Sequence, residues 1–215
     1  MEITWYGHAC FRLSERGVAI VTDPFSDDLG YARPRIRADV VTISHDHPGH
    51  NQRIGFRSGP RFFDAPGEYE VKDVFITGIA AYHDGRRGIV RGRNLVFVFD
   101  FGGLTVCHLG DLGHVLDQKQ VEALGDIDVL LVPVGGVHTL DAPKAAEVIS
   151  LIEPKAVIPM HHKTPMETAK LEGLDKFFKE MGLAPASPQP SLVVTKSNLP
   201  DETQVVVLEY TTASE

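Results

Sequence analysis

The chain has 215 residues, 43% hydrophobic and 23% charged, enough for one large domain with a substantial core. It carries no apolar run of about 20 residues that would span a membrane. A formal net charge of −8 disfavours nucleic-acid binding through a broad basic surface. Cys10 and Cys107 are too few and too far apart for a disulfide framework. A reducing cytoplasm is therefore the expected compartment, and small buried hydrophobes the expected role of both.

The opening "MEITWYGHACFRL" reads as a first strand rather than a signal peptide, because no basic start precedes an apolar stretch. Short β-rich runs follow, separated by Gly, Asp and Pro: "EITWYG", "CFRLSE", "VAIVTDPF" and "DVVTISH". Further strands are expected in "RFFDAPGEYEV", "VFITGIAAYH", "NLVFVFDFGG" and "LTVCHLGD", with a hairpin turning on Gly102 and Gly103. From about residue 116 helices alternate with strands. "VLDQKQVEALGDI" and "DAPKAAEVISLIEP" read as helices, the second capped by Asp141, and "DVLLVPVGG" and "KAVIPMHH" as strands. "PMETAKLEGLDKFFKEMG" reads as one helix stopped at Gly182, and "SLVVTKSN" and "TQVVVLEY" close the chain as strands. This order implies a mixed, layered α/β fold in one domain over 1–215.

Ten histidines mark the chain, and most fall at expected strand ends. His45, His47 and His50 lie within six residues directly after "VVTIS". Residues two apart in an extended segment share a side, so His45 and His47 can face one ion. Pro48 suits a first helical position, which would return His50 toward the same centre. Neutral imidazole is a common zinc ligand, and zinc accepts mixed N and O donors. His83 follows "ITGIAAY", Asp111 follows "LTVCHLG" and His161 follows "KAVIPM". Strand ends opening on one sheet edge can gather such distant side chains. For His108, His114 and His162 the expected role is surface or hydrogen-bonded core. The loop "HDGRRGIVRGRN" sets Arg86, Arg87, Arg91 and Arg93 just past His83. It is either a reader of anionic substrate or a solvated hairpin.

Taken together, "WYGHACF", "VTDPF", "SHDHPGH", "AAYHD", "HLGDLG" and "VIPMHH" resemble, in order, the motifs of the metallo-β-lactamase-fold hydrolases. The nearest branch resembles the small bacterial metal-dependent hydrolases that include the ascorbate-phosphate lactonase relatives. The resemblance implies a four-layer αββα sandwich, two mixed sheets flanked by helices. It also implies metal ligands His45, His47 and His83 at a first ion, His50 and His161 at a second, and Asp111 bridging both. Asp111 and His8 become the candidate catalytic groups, His8 by hydrogen bonding to a ligand or substrate, and Asp23 would orient a ligand. The chain departs from the pattern at Gly49, where the family has an acid that binds the second metal. Asp46 should point away. One tight Zn2+ and a weaker or conditional second ion follow, with Mn2+ or Fe2+ as other candidates and a gain of affinity expected from Gly49→Asp. His138 is the alternative source of a replacement ligand, although the family places that loop position near the site and not on the metal.

The activity implied is hydrolysis of a small, anionic ester, lactone or phosphoester by metal-bound hydroxide. No Gly-x-Ser-x-Gly nucleophile competes. The alternatives are a nuclease-like member acting on RNA or DNA, which the charge disfavours, and a non-catalytic metal-binding member, which Gly49 favours. No membrane partner is expected, and a homo-oligomer is compatible with the sequence.

Overall fold

Side-chain alternation sets the layering. In the computed structural model, which describes residues 1–32 and 35–211, β1 (Glu2–Gly7) and β2 (Cys10–Glu15) send Ile3, Trp5, Phe11 and Leu13 to one face. Tyr6 and Cys10 go to the other, as a period of two requires. With β3 (Val18–Thr22), β4 (Val40–Thr42), β5 (Arg61–Phe63) and β12 (Leu192–Val193) they form a six-stranded sheet, ordered β12-β1-β2-β3-β4-β5.

The second sheet holds β6 (Gly67–Val71), β7 (Val74–Tyr82), β8 (Arg93–Asp100), β9 (Thr105–His108), β10 (Val129–Pro133), β11 (Ala156–Met160) and β13 (Gln204–Val205). Its seven strands run β13-β11-β10-β9-β8-β7-β6. Phe97, Phe99, Val106, Leu131 and Ile158 face the first sheet and complete the central core. Val96, Val98, Cys107, Leu130 and Val157 face outward onto helices α1 (Gln118–Leu124), α2 (Ala142–Ile152) and α3 (Leu174–Glu180). There α2 buries Ala145, Val148 and Ile149, with about 1.5–3 kcal/mol for each fully buried Val or Ile. β10 and β11 are buried throughout, as strands covered on both faces should be.

The layered α/β architecture expected from the sequence is present, and the details that differ have local causes. The outer face of the first sheet is covered by irregular chain, with Phe25, Tyr31, Ile36 and Ala38 packed on Val21, Val41 and Ile43. "RFFDAPGEYEV" is two strands rather than one: β5 joins the first sheet and β6 the second, and the chain crosses over at Pro66, which offers no ladder N–H. The helix expected from Pro165 to Gly182 is confined to α3. Residues 165–173 spend their backbone groups on distant partners instead. Thr168 N–H donates to Leu29 (3.3 Å), and Glu172 N–H donates to Gly135 (2.8 Å). The last two strands pair over two residues each, and beyond β13 the chain continues as isolated bridges at Leu208 and Tyr210. Cys10 and Cys107 are buried free thiols within apolar clusters.

Candidate metal centre

β1, β3 and β4 run in one sense in the first sheet, and β7, β9 and β11 in one sense in the second. Their C-terminal ends meet at one edge, and the segments that follow deliver His8, Asp23, His45–His50, His83, Asp111 and His161. Residues 48–50 form a single turn rather than a continuing helix. The carbonyl of His47 accepts from both His50 N–H (2.8 Å) and Asn51 N–H (3.0 Å). The stretch from His45 to His47 bends instead of running extended, with His47 N–H on His45 O at 3.1 Å. The two rings still lie near-parallel, 5.8 Å apart. Asp46 is exposed, its carboxylate accepting from Asn51 Nδ2; it lines the cavity at the centre but, among the described residues, joins none of the ligand groupings.

Asp111 is the hub. Its Oδ2 lies 3.2 Å from His83 Nε2, 3.3 Å from His50 Nε2, 3.4 Å from His161 Nε2 and 3.9 Å from His45 Nε2. Burial would raise its pKa, but the adjoining His161 and His50 outweigh that and hold the carboxyl well below the usual carboxylate range. Its backbone N–H is fixed on Asn94 Oδ1 at 2.8 Å.

Two carboxylates set the rings from behind. Asp23, fully buried at a positive φ of 38°, accepts from Ser44 N–H (2.7 Å), Ser44 Oγ (2.5 Å) and His50 Nδ1 (2.9 Å). Hydrogen bonds of this kind fix ring orientation and tautomer. Glu167 Oε2 does the same for His8, accepting from Nδ1 at 2.8 Å. Sequence reasoning missed Glu167, because it stands 159 residues away in a segment that reads as helix. Burial depresses His8 to about 4, with His161 adding to the effect, and His45 to about 3. Burial acts the same way on His50, but Asp111 and Asp23 outweigh it and raise that imidazole.

The remaining histidines separate cleanly. His108 Nε2 donates to the Ala9 carbonyl (2.9 Å) while its Nδ1 accepts from Gly110 N–H (3.2 Å), a hydrogen-bonded core role. His162 packs on Trp5, centroids 5.1 Å apart, and its Nδ1 donates to Lys163 O at 3.2 Å. His114 donates to Val115 O at 2.8 Å. His138 lines the cavity beside the centre but is exposed and, among the described residues, belongs to none of the ligand groupings.

That cavity has a volume of about 320 Å3, with Leu29, Val90, Leu171 and Arg91 on its walls above the histidines. A larger one of about 480 Å3, beside Trp5 and His162, gathers no cluster of metal-ligating side chains. The arginine loop is organised by Asp84, whose carboxylate accepts from the N–H groups of Arg86, Gly88, Val90 and Arg91. Of the four arginines singled out in sequence, Arg91 lines the cavity.

The donor set fits a transition-metal centre. Potential ligand atoms lie within 4.8 Å of one another in three groupings: His45, His83 and Asp111; His45, His47 and His50; His8, His50 and His161. Asp111 Oδ1 is buried and, among the described residues, makes no hydrogen bond. Imidazole nitrogens around one carboxylate are the chemistry zinc and its neighbours accept.

Comparison with known proteins agrees. A model described as the β-lactamase superfamily domain matches residues 2–161. A UPF0173 metal-dependent hydrolase of Carboxydothermus hydrogenoformans is 31% identical over 193 residues, spanning 76% of this chain and 85% of the relative. Its counterpart in Natranaerobius thermophilus is 29% identical over 208 residues, 84% of this chain and 92% of the relative. Among solved structures, a Thermotoga maritima protein described as a candidate Zn-dependent hydrolase of the metallo-β-lactamase superfamily is 43% identical. It covers 96% of this chain and 97% of its own, with a TM-score of 0.79. A Parabacteroides distasonis protein at 19% identity and TM-score 0.66 shares the fold over 96% of this chain and 93% of its own.

Proposed function

The chain belongs to the β-lactamase superfamily, as a metal-dependent hydrolase of its metallo-β-lactamase branch, and from that premise we propose that it cleaves small anionic esters, lactones or phosphoesters at a zinc centre. The observation that carries the reading is the convergence of four imidazole Nε2 atoms on Asp111 Oδ2 beneath a cavity walled by Arg91.

In this reading His45, His47 and His83 would hold a first cation and His50 and His161 a second, with Asp111 available as a carboxylate ligand to either. A bound divalent cation lowers the pKa of water from about 16 toward about 7 and polarises the oxygen under attack. The chain supplies the rest. Asp23 fixes His50 by its Nδ1–H, so the ring keeps its Nε2 on the centre. Asp111 is the one carboxylate among the proposed ligands. Two divalent ions would therefore leave the centre net positive, which favours an anionic substrate. Arg91 adds a guanidinium at the cavity wall, and Leu29, Val90 and Leu171 offer apolar surface for the remainder of a small molecule.

The test is a panel of phosphoesters, lactones, charged esters and neutral esters, assayed on chelator-stripped protein before and after zinc or manganese. Metal-dependent turnover of anionic members is expected. Arg91→Ala should raise KM for them about 10-fold, the loss of one charge-assisted hydrogen bond, with neutral esters little changed. Arg86→Ala, on the same loop but outside the cavity lining, should do neither. Equal effects on charged and neutral substrates would remove Arg91 from the reading.

A further inference from the structure

We infer that His8 is a ligand of the second cation position, completing with His50 and His161 a three-imidazole set, and that the missing side chain of Gly49 leaves it room. The inference rests on the two-cation reading above and deepens it.

Three independent observations support it. The first is proximity: potential ligand atoms of His8, His50 and His161 all lie within 4.8 Å of one another, and all three side chains are buried. The His8 ring centroid is 4.1 Å from that of His161 and 4.9 Å from that of His50.

The second is the tautomer. Glu167 Oε2 sits 2.8 Å from His8 Nδ1. A carboxylate only accepts, so Nδ1 carries the proton and Nε2 keeps its lone pair. Glu167 is itself held, its Oε1 accepting from Ala169 N–H at 3.0 Å. A carboxylate behind an imidazole whose other nitrogen is free is the usual support of a metal-binding histidine. The backbone is secured too. His8 has a positive φ of 51°, and its carbonyl accepts from His161 N–H (3.0 Å) and Trp5 Nε1 (3.1 Å). A non-glycine residue in that region persists only where its surroundings hold it.

The third is the space at residue 49. Gly49 does not adopt a positive φ, so its backbone alone does not demand glycine. A Cβ there would lie 3.3 Å from His8 Nε2 and 3.2 Å from His47 Nδ1, tighter than ordinary contact. The place where a side chain of residue 49 would begin already faces the free nitrogen of His8. Sequence alone suggested an under-liganded second site to be improved by Gly49→Asp. In the fold a donor is already there, and Gly49→Asp in an otherwise unaltered chain should gain nothing.

The experiment is equilibrium zinc titration of chelator-stripped, full-length protein, with bound metal measured by mass spectrometry and folding by circular dichroism. The unaltered protein should take up two equivalents. His8→Ala should keep the first and lose at least 10-fold in affinity for the second. Glu167→Gln should weaken the second by about 10- to 100-fold, the range for losing a supporting partner. His8→Ala combined with Gly49→Asp should regain the second equivalent, because the new carboxylate enters the space the ring vacated. Failure of the unaltered protein to bind a second equivalent at any concentration would remove the two-cation reading, and this inference with it. Two equivalents bound by His8→Ala as tightly as by the unaltered protein would overturn the inference and leave that reading standing. If His8→Ala does not fold, Glu167→Gln decides: a weakened second equivalent supports the inference and an unchanged one overturns it.

Discussion

At His108 both ring nitrogens are engaged by backbone, one on Ala9 O and the other on Gly110 N–H, and nothing is left to bind a metal. At His50 one nitrogen faces Asp23 and the other faces Asp111, 3.3 Å away. That difference in partners, not burial, divides the histidines, since both are buried. Asp111 carries the centre because its carboxylate meets four rings, and this makes Asp111→Asn the most informative single change. The amide keeps the size but loses the charge. The swap leaves no cavity, so the fold should survive. We expect far-UV circular dichroism to be unaltered, zinc uptake to fall and metal-dependent turnover to drop by orders of magnitude. An Asn variant with full zinc content and full turnover would make Asp111 structural. The cluster at 45, 47 and 50 was legible in sequence because its spacing is local. The pairing of His8 with Glu167 was not, because it joins the β1–β2 turn to a segment far along the chain, and no local pattern encodes it.

At the scale of elements, the ligands are positioned by loops wedged against one another, and the wedges are glycines. A Cβ on Gly113 would sit 2.4 Å from the carbonyl oxygen of His83 and 2.5 Å from its carbon. These are backbone atoms, which cannot rotate aside. Gly113→Ala should therefore push the loop carrying His83 off its position, at a cost of about 1–3 kcal/mol. The thermal midpoint should fall by about 2–4 °C per kcal/mol, with a parallel loss of zinc affinity. Gly59 has open space around it and no positive φ, so Gly59→Ala should stay within about 0.5 kcal/mol of the unaltered protein. Equal melting of the two variants would show that the His83 loop yields freely. The strands ending in these loops were readable from alternation and β-branched content. The stretch from Pro165 to Gly173 reads as helix because its composition suits one. What overrides composition is tertiary: Glu167 turns inward to His8, and neighbouring backbone groups pair with Leu29 and Gly135. The truncated final strands have a similar cause, since their apolar residues pack as edge chain after only two paired positions.

At the scale of the molecule, fold and centre are separable in a way that predicts how metal acts on stability. The central apolar core, from Ile3 and Phe11 across to Phe97 and Ile158, joins the two sheets through side-chain packing that needs no ion. The outer clusters built around Val132 and around Val41 pack the two outer faces, again with no need of an ion. The sandwich should therefore stand without metal. Yet the proposed ligands come from strand ends of both sheets, so a bound ion ties the two sheets together at that edge. Anything that binds the folded chain and not the unfolded one stabilises by mass action, by about 4 kcal/mol at 1,000 times Kd. For a chain of this size each kcal/mol is worth about 2–4 °C, so zinc-loaded protein should melt about 8–16 °C above chelator-treated protein. Far-UV circular dichroism at room temperature should be the same for both. The measurement is a pair of melting curves with excess zinc and with excess chelator, repeated on Asp111→Asn, whose two curves should lie closer together. Unfolding by chelator at room temperature would mean that the metal builds the fold rather than binding to it. Coincident curves for the unaltered protein would mean that zinc does not bind this edge at all.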